Sequence, residues 1–126
     1  MKRISLNKVL QLHKKMIDAT GGDSGIRAMG LLDSALSNAY ATFDGVELYP
    51  TVEEKCASIC YSILNNHPFV DGNKRIGIFI MLILLEFNDI KLKYSQTELI
   101  DLGLGIAKGL YKQDFILEWI IVHRNA

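Results

Sequence analysis

Cysteine, proline and any excess of one charge are scarce in this chain. Only two of its 126 residues are cysteines, Cys56 and Cys60, and only two are prolines. A disulfide scaffold would carry more thiols, so this usage predicts a reducing, cytoplasmic setting. Two prolines against 10 glycines exclude collagen-like and low-complexity readings. The 14 basic and 14 acidic residues cancel to a net charge of zero. That balance excludes the broad basic field of a dedicated nucleic-acid binder, and no direct nucleic-acid binding is expected. It leaves room for a local cationic site, because totals hide position. Long apolar runs are missing as well. The longest, Ile76 to Leu85, has ten residues, against about 20 for a membrane span. The basic start Met1-Lys2-Arg3 leads into an amphipathic stretch with Asn7, Lys8 and Gln11, unlike the wholly apolar core of a signal peptide.

What remains is ordinary globular composition, 49% hydrophobic and 22% charged, at a length that predicts one domain over residues 1–126. Helical periodicity dominates. Leu6, Val9, Leu10, His13, Met16 and Ile17 share one face of a first helix, opened by Ser5 and stopped by Gly21-Gly22. A second starts near Gly30. Thr51 and Glu54 form a capping box for a third, with Cys56, Ile59, Cys60, Ile63 and Leu64 facing inward. It ends at Asn65-Asn66-His67-Pro68, since proline disfavours helix at the residue before it. A fourth, from about Asn73 to Phe87, is apolar nearly all round and reads as the central, fully buried helix. Ser95 and Glu98 box a fifth, and a sixth runs from about Gln113 to His123. The expected fold is an all-α, six-helix bundle with a central buried helix. Between the second and third helices, Asp44-Gly45 separates two short alternating runs. That segment reads equally as a small β-hairpin flap or as a plain loop. A flap would have a free edge, able to accept an extended peptide.

The chemistry concentrates in His67-Pro68-Phe69-Val70-Asp71-Gly72-Asn73-Lys74-Arg75. This segment joins two apolar helices yet gathers five polar or charged side chains. The amides of Gly72, Asn73 and Lys74 should form a helix N-terminus, with unpaired N–H groups and partial positive charge. Lys74 and Arg75 add formal cations at the same end, which helix propensity does not explain. A phosphate would reconcile them. Asp71 suits a magnesium ion bridging phosphate oxygens, and His67 can take a proton from an attacking hydroxyl. A purely structural account stands beside this one: Asp71 as an N-cap, His67 as part of the helix stop, Lys74 and Arg75 as solvated charge.

His-Pro-Phe-x-Asp-Gly-Asn-Lys-Arg resembles the signature loop of the Fic/Doc superfamily, in its death-on-curing (Doc) branch. Supporting likeness comes from Leu12-His13 before Gly21-Gly22, from Gly25-Ile26-Arg27, and from Gly30-Leu31-Leu32-Asp33-Ser34-Ala35-Leu36. The AMP-transferring Fic pattern, His-Pro-Phe-x-x-Gly-Asn-Gly-Arg-x-x-Arg, is not kept. Lys74 replaces the second glycine, and Ile78 stands where the second arginine would be. Both departures follow the Doc pattern. The resemblance therefore implies a toxin of a toxin–antitoxin pair, a kinase passing the γ-phosphate of ATP to a protein hydroxyl, with a threonine of elongation factor Tu as the family's target type. It assigns His67 as general base, Asp71 as the magnesium ligand, and Gly72, Asn73, Lys74 and Arg75 to the phosphates. Phe69 would pack inward. The inhibitory Ser/Thr-x-x-x-Glu-Gly/Asn helix of many Fic proteins is missing, so restraint would come from an antitoxin whose tail folds onto the toxin.

Two other functions stay open at this point: a Fic-type AMP transfer, and a non-catalytic nucleotide- or protein-binding member. Among the remaining candidates, Cys56 and Cys60 at i, i+4 fit a metal pair or two buried thiols, the latter preferred. His13 on an apolar face reads as a hydrogen-bonded histidine rather than a ligand. His123 reads as a partner of its own helix end. Arg27 has no evident chemistry.

Overall fold

The computed structural model describes residues 1–110 and 112–124. Six α-helices run in chain order: α1 (Leu6–Thr20), α2 (Met29–Ser37), α3 (Val52–Asn66), α4 (Asn73–Phe87), α5 (Gln96–Ala107) and α6 (Gln113–His123). A short 3-10 turn, Asn38–Tyr40, follows α2, and a two-stranded antiparallel hairpin, β1 (Thr42–Phe43) and β2 (Val46–Glu47), precedes α3. The all-α class holds, and the open question over residues 42–49 resolves to a hairpin. Asp44 and Gly45 both take positive φ, 52° and 78°. That is the requirement of the two-residue turn whose twist matches its strands. Phe43 and Val46 stand 76% and 68% exposed on it.

The helix starts follow local chemistry. The Ser5 side chain accepts the Lys8 N–H, and Thr51 with Glu54 and Ser95 with Glu98 form complete capping boxes. The buried apolar side chains form one cluster drawn from α1 to α6.

The expectation that α4 is central and wholly buried needs correction. Phe79 and Phe87 of α4 are 42% and 43% exposed. The central helix is α3, which packs against α2, the 3-10 turn, α4 and α6. Its sequence hides this role because it carries charge. Glu53 and Lys55 are nonetheless buried, and both are paired: Glu53 with Arg124, and Lys55 with Glu47 at 3.0 Å and with the Tyr49 carbonyl. Paired charge can be buried where lone charge cannot. Apolar composition reports what a helix can bury, whereas the number of neighbours decides what it does bury.

Cys56 and Cys60 are free and buried. Burial pushes the Cys56 thiol up to about 12 and raises that of Cys60 further. Both stay neutral, and among the described residues no group of three His, Cys, Asp or Glu could hold a metal. The thiols are core.

α3 and α4 cross closely at Gly77. A Cβ there would lie 2.4 Å from Leu64 Cδ1 and 3.3 Å from the Cys60 carbonyl oxygen. Gly77→Val should therefore lower the unfolding free energy by about 1–3 kcal/mol, read by urea denaturation, despite removing a helix-interior glycine. α5 is tied to the end of α6 by His123, whose ring meets the Trp119 carbonyl at 2.7 Å and the Glu98 carboxylate at 2.6 Å. The Ser95 N–H, then the His123 ring, hold the Glu98 carboxyl below its ordinary value of 4.5. A carboxyl lowered in the folded state stabilises above its unfolded pKa, and that stability is lost as pH falls through the folded value. Stability measured by thermal melting should drop as pH falls below about 4.5, with a shallower drop in Glu98→Gln.

Candidate functional site

The loop from His67 to Gly72 closes the gap between two helix ends. α3 arrives with carbonyls that lack intrahelical donors, and α4 departs with amides that lack acceptors. The chain turns at His67, which adopts the left-handed conformation at φ 48° and ψ 59° while its N–H still bonds the Ile63 carbonyl at 3.2 Å. It turns again at Gly72, at φ 75°. Glycine is required there twice over, because a Cβ would also meet Met16 Cε of α1 at 2.9 Å. Gly72 is the N-cap of α4, and no side chain caps the helix.

Long-range contacts hold the loop. Phe69 is 1% exposed and stacks on the buried ring of His13, centroids 3.7 Å apart and planes within 10°. His13 Nε2–H donates to the Asp71 carbonyl at 2.8 Å. On the other side, residues 25–28 pair with residues 68–70. The Val70 N–H donates to the Gly25 carbonyl at 3.0 Å, and the Arg27 and Ala28 N–H groups donate to the Pro68 carbonyl at 2.8 and 2.9 Å. The Arg27 side chain donates from Nε to the His67 carbonyl at 2.6 Å and from Nη2 to the Asn66 carbonyl.

All six residues singled out in sequence, His67, Asp71, Gly72, Asn73, Lys74 and Arg75, line one cleft of about 770 Å³. Asp71 accepts the Gly72 N–H at 2.9 Å through Oδ1 and faces the Asp23 N–H at 3.4 Å through Oδ2. Each oxygen keeps lone pairs for a cation. Lys74 and Arg75 are exposed at the start of α4, and Arg75 Nη1 donates to the Thr20 hydroxyl.

Asn73 departs from expectation. Its Oδ1 accepts the Phe69 N–H and its Nδ2 donates to the Phe69 carbonyl, each at 3.0 Å. Both polar atoms are spent on closing the loop, so the side chain is not offered to a phosphate. Only the residue's backbone amide at the helix start is. The Cβ that Gly72 lacks would likewise point at α1. The glycine therefore answers to the fold first.

Sequence reasoning missed Lys112, which lines the cleft from the segment between α5 and α6, beside Ile106, Ala107 and Gly109. A lone lysine between helices carries no signal. It likewise missed what Arg27 and His13 touch, since both act across more than 39 positions of chain. Ile78, at the place of the second Fic arginine, lies beneath Gly103 of α5, whose added Cβ would sit 3.7 Å from Ile78 Cδ1. Position 78 therefore carries no second arginine of the Fic kind. The arrangement as a whole gathers one carboxylate, three cations, an imidazole and an uncapped helix N-terminus. It suits a polyanion and a proton transfer beside it.

The chain is 39% identical over 74 residues to a protein of Mycolicibacterium smegmatis (strain ATCC 700084 / mc(2)155) named Toxin Doc, a match covering 59% of this chain. The match spans 57% of that relative's own length. Residues 3–85 match the sequence profile of the Fic/DOC family, covering α1 to most of α4 and the whole loop. The chain belongs to the Fic/DOC family.

Proposed function

We propose that the protein is a Doc-like toxin of a toxin–antitoxin pair. It would transfer the γ-phosphate of ATP to a threonine or serine hydroxyl of a protein target, elongation factor Tu, and so stop translation. The observation that carries the reading is the shared cleft, with imidazole, carboxylate and cations converging on the uncapped start of α4. Similarity to a protein named Toxin Doc supports the toxin role, and with it an antitoxin partner.

The transfer needs positioning and charge neutralisation more than covalent chemistry from the protein. The first amides of α4, Lys74 and Arg75 hold phosphate oxygens by helix-end charge and charge-assisted bonds. Lys112 adds a cation from the facing wall. The target hydroxyl enters beside His67. Its oxygen forms a bond to the γ-phosphorus as the bond from that phosphorus to the bridging oxygen breaks. The hydroxyl proton passes to the His67 ring, and ADP leaves. Asp71 would hold a magnesium ion, which when bound offsets charge on the phosphate oxygens. The donor set fits that ion. Magnesium is commonly held by one or two carboxylates together with phosphates and water, and Asp71 stands without a cluster of further ligands among the described residues. Structural zinc would need such a cluster. Ile78 in place of a second arginine favours the kinase over AMP transfer, because position 78 offers no bidentate clamp for a phosphate.

Intact-mass measurement of elongation factor Tu, incubated with the protein, ATP and magnesium, should show an added phosphoryl group of about 80 Da. A gain of about 329 Da would establish AMP transfer and overturn the kinase reading. The cradle has its own test. Without nucleotide, Lys74→Gln should melt at or slightly above the wild-type temperature, because a cation at a helix N-terminus opposes the dipole. With ATP and magnesium the wild type should gain more in melting temperature than Lys74→Gln or Arg75→Gln, by mass action. Equal gains in all three would remove Lys74 and Arg75 from the phosphate site.

A further inference from the structure

The reading of His67 as the base requires an imidazole held where the target oxygen arrives. Yet His67 is exposed and caps the end of α3, in a left-handed conformation uncommon outside glycine. Its orientation is decided by the two peptide planes that meet at its Cα. One carries the Asn66 carbonyl, the other its own carbonyl. With both planes fixed, φ and ψ are fixed, and so is the direction of the Cα–Cβ bond.

A single side chain grips both planes. Arg27 Nε donates to the His67 carbonyl at 2.6 Å, and Arg27 Nη2 donates to the Asn66 carbonyl. The rigid fork of a guanidinium holds two acceptors in a set relation, which a lysine ammonium on a flexible stem cannot. The backbone beneath the fork is itself anchored, because the Arg27 and Ala28 N–H groups both donate to the Pro68 carbonyl. The guanidinium thus binds a segment that is already seated. Capping requires only that each carbonyl find a donor; here both donors belong to one rigid guanidinium, which also sets the two planes relative to each other. Arg27 is absent from the lining of the cleft, which His67 does line.

We propose that Arg27 is a positioning residue for the transfer: it locks the backbone of His67 and thereby aims the imidazole into the cleft, without touching nucleotide or hydroxyl. This rests on His67 being the base. Arg27→Lys, which keeps the charge and loses the fork, should lower kcat for phosphoryl transfer to elongation factor Tu by about 10- to 100-fold. KM for ATP should stay within about twofold, because the phosphates are held elsewhere. The melting temperature should match wild type. Arg27→Gln, which reaches neither carbonyl, should lose at least as much. In a His67→Ala background, itself slowed by about 100- to 10,000-fold, Arg27→Lys should cost nothing further, since no base remains to aim. Independently of turnover, the three-bond HN–Hα coupling of His67, which reports φ, should shift in both Arg27 variants. An unchanged coupling with unchanged kcat overturns the positioning role. So does an undiminished loss in the His67→Ala background, which would make Arg27 act through something else. Wild-type turnover in His67→Ala overturns the reading of the base, and that result is distinguishable from failure of the Arg27 role, which the coupling reports by itself.

Discussion

The C-terminus of α3 and the N-terminus of α4 meet across a six-residue loop, and each brings backbone groups without intrahelical partners to the junction. The carbonyl end of α3 attracts cations and the amide end of α4 attracts anions. Each end therefore favours a partner of the opposite charge. The rest of the site follows from how each end is met. Arg27 meets the carbonyls of α3. The amides of α4 are met by no capping side chain, and Lys74, Arg75 and Asp71 surround them. One end is satisfied from within the fold. The other carries no side-chain cap.

This asymmetry explains why the loop is braced so heavily for its length. A binding site at a helix end is useful only if the helix end stays put. His13 supports the loop from below through Phe69 and the Asp71 carbonyl, residues 25–28 pair along its outer side, and Asn73 closes it from within. Two segments far from the loop in sequence, His13 of α1 and residues 25–28, converge on its six residues, and Asn73 follows it directly. Each brace bonds to backbone, so the side chains of His67 and Asp71 stay free of the scaffold, apart from the two amides that orient the Asp71 carboxylate.

Much of this was legible in the sequence, and the part that was not has a common cause. Capping boxes at Thr51 and Ser95, the Asp44-Gly45 turn and the glycine stop of α1 are local signals, and each sits where its chemistry requires. The site loop was legible because it is contiguous: seven residues of the cleft fall between positions 67 and 75. Arg27, His13 and Lys112 were opaque because their meaning lies in what they touch across the fold. Asn73 was misread for a subtler reason. An amide beside a phosphate-like site is the right residue type for a ligand contact, yet the same two polar atoms match a peptide group's donor and acceptor equally well. The closing peptide of Phe69 takes them. The central helix was misassigned on the same ground, since buried ion pairs at Glu53 and Lys55 give α3 the composition of a surface helix.

The cleft divides along the chain. Its loop side belongs to the segment that matches the family profile, residues 3–85. Its facing wall, with Ile106, Ala107, Gly109 and Lys112, lies beyond that segment. The two sides are joined through little covalent chain at the site itself. α5 reaches the core by packing on α4, and its start is tied to the end of α6 by Glu98 and His123. α5 passes the start of α4 at Gly103, where an added Cβ would make ordinary contact with Ile78 at 3.7 Å and the stem of Lys74 at 4.0 Å. The wall is therefore positioned by packing and one charged contact, whereas the reacting groups are positioned by backbone hydrogen bonds. Changes in the wall can reshape what the cleft accepts while the braces on His67 and Asp71 remain intact. Changes in the braces act on the chemistry while leaving the shape of the wall alone.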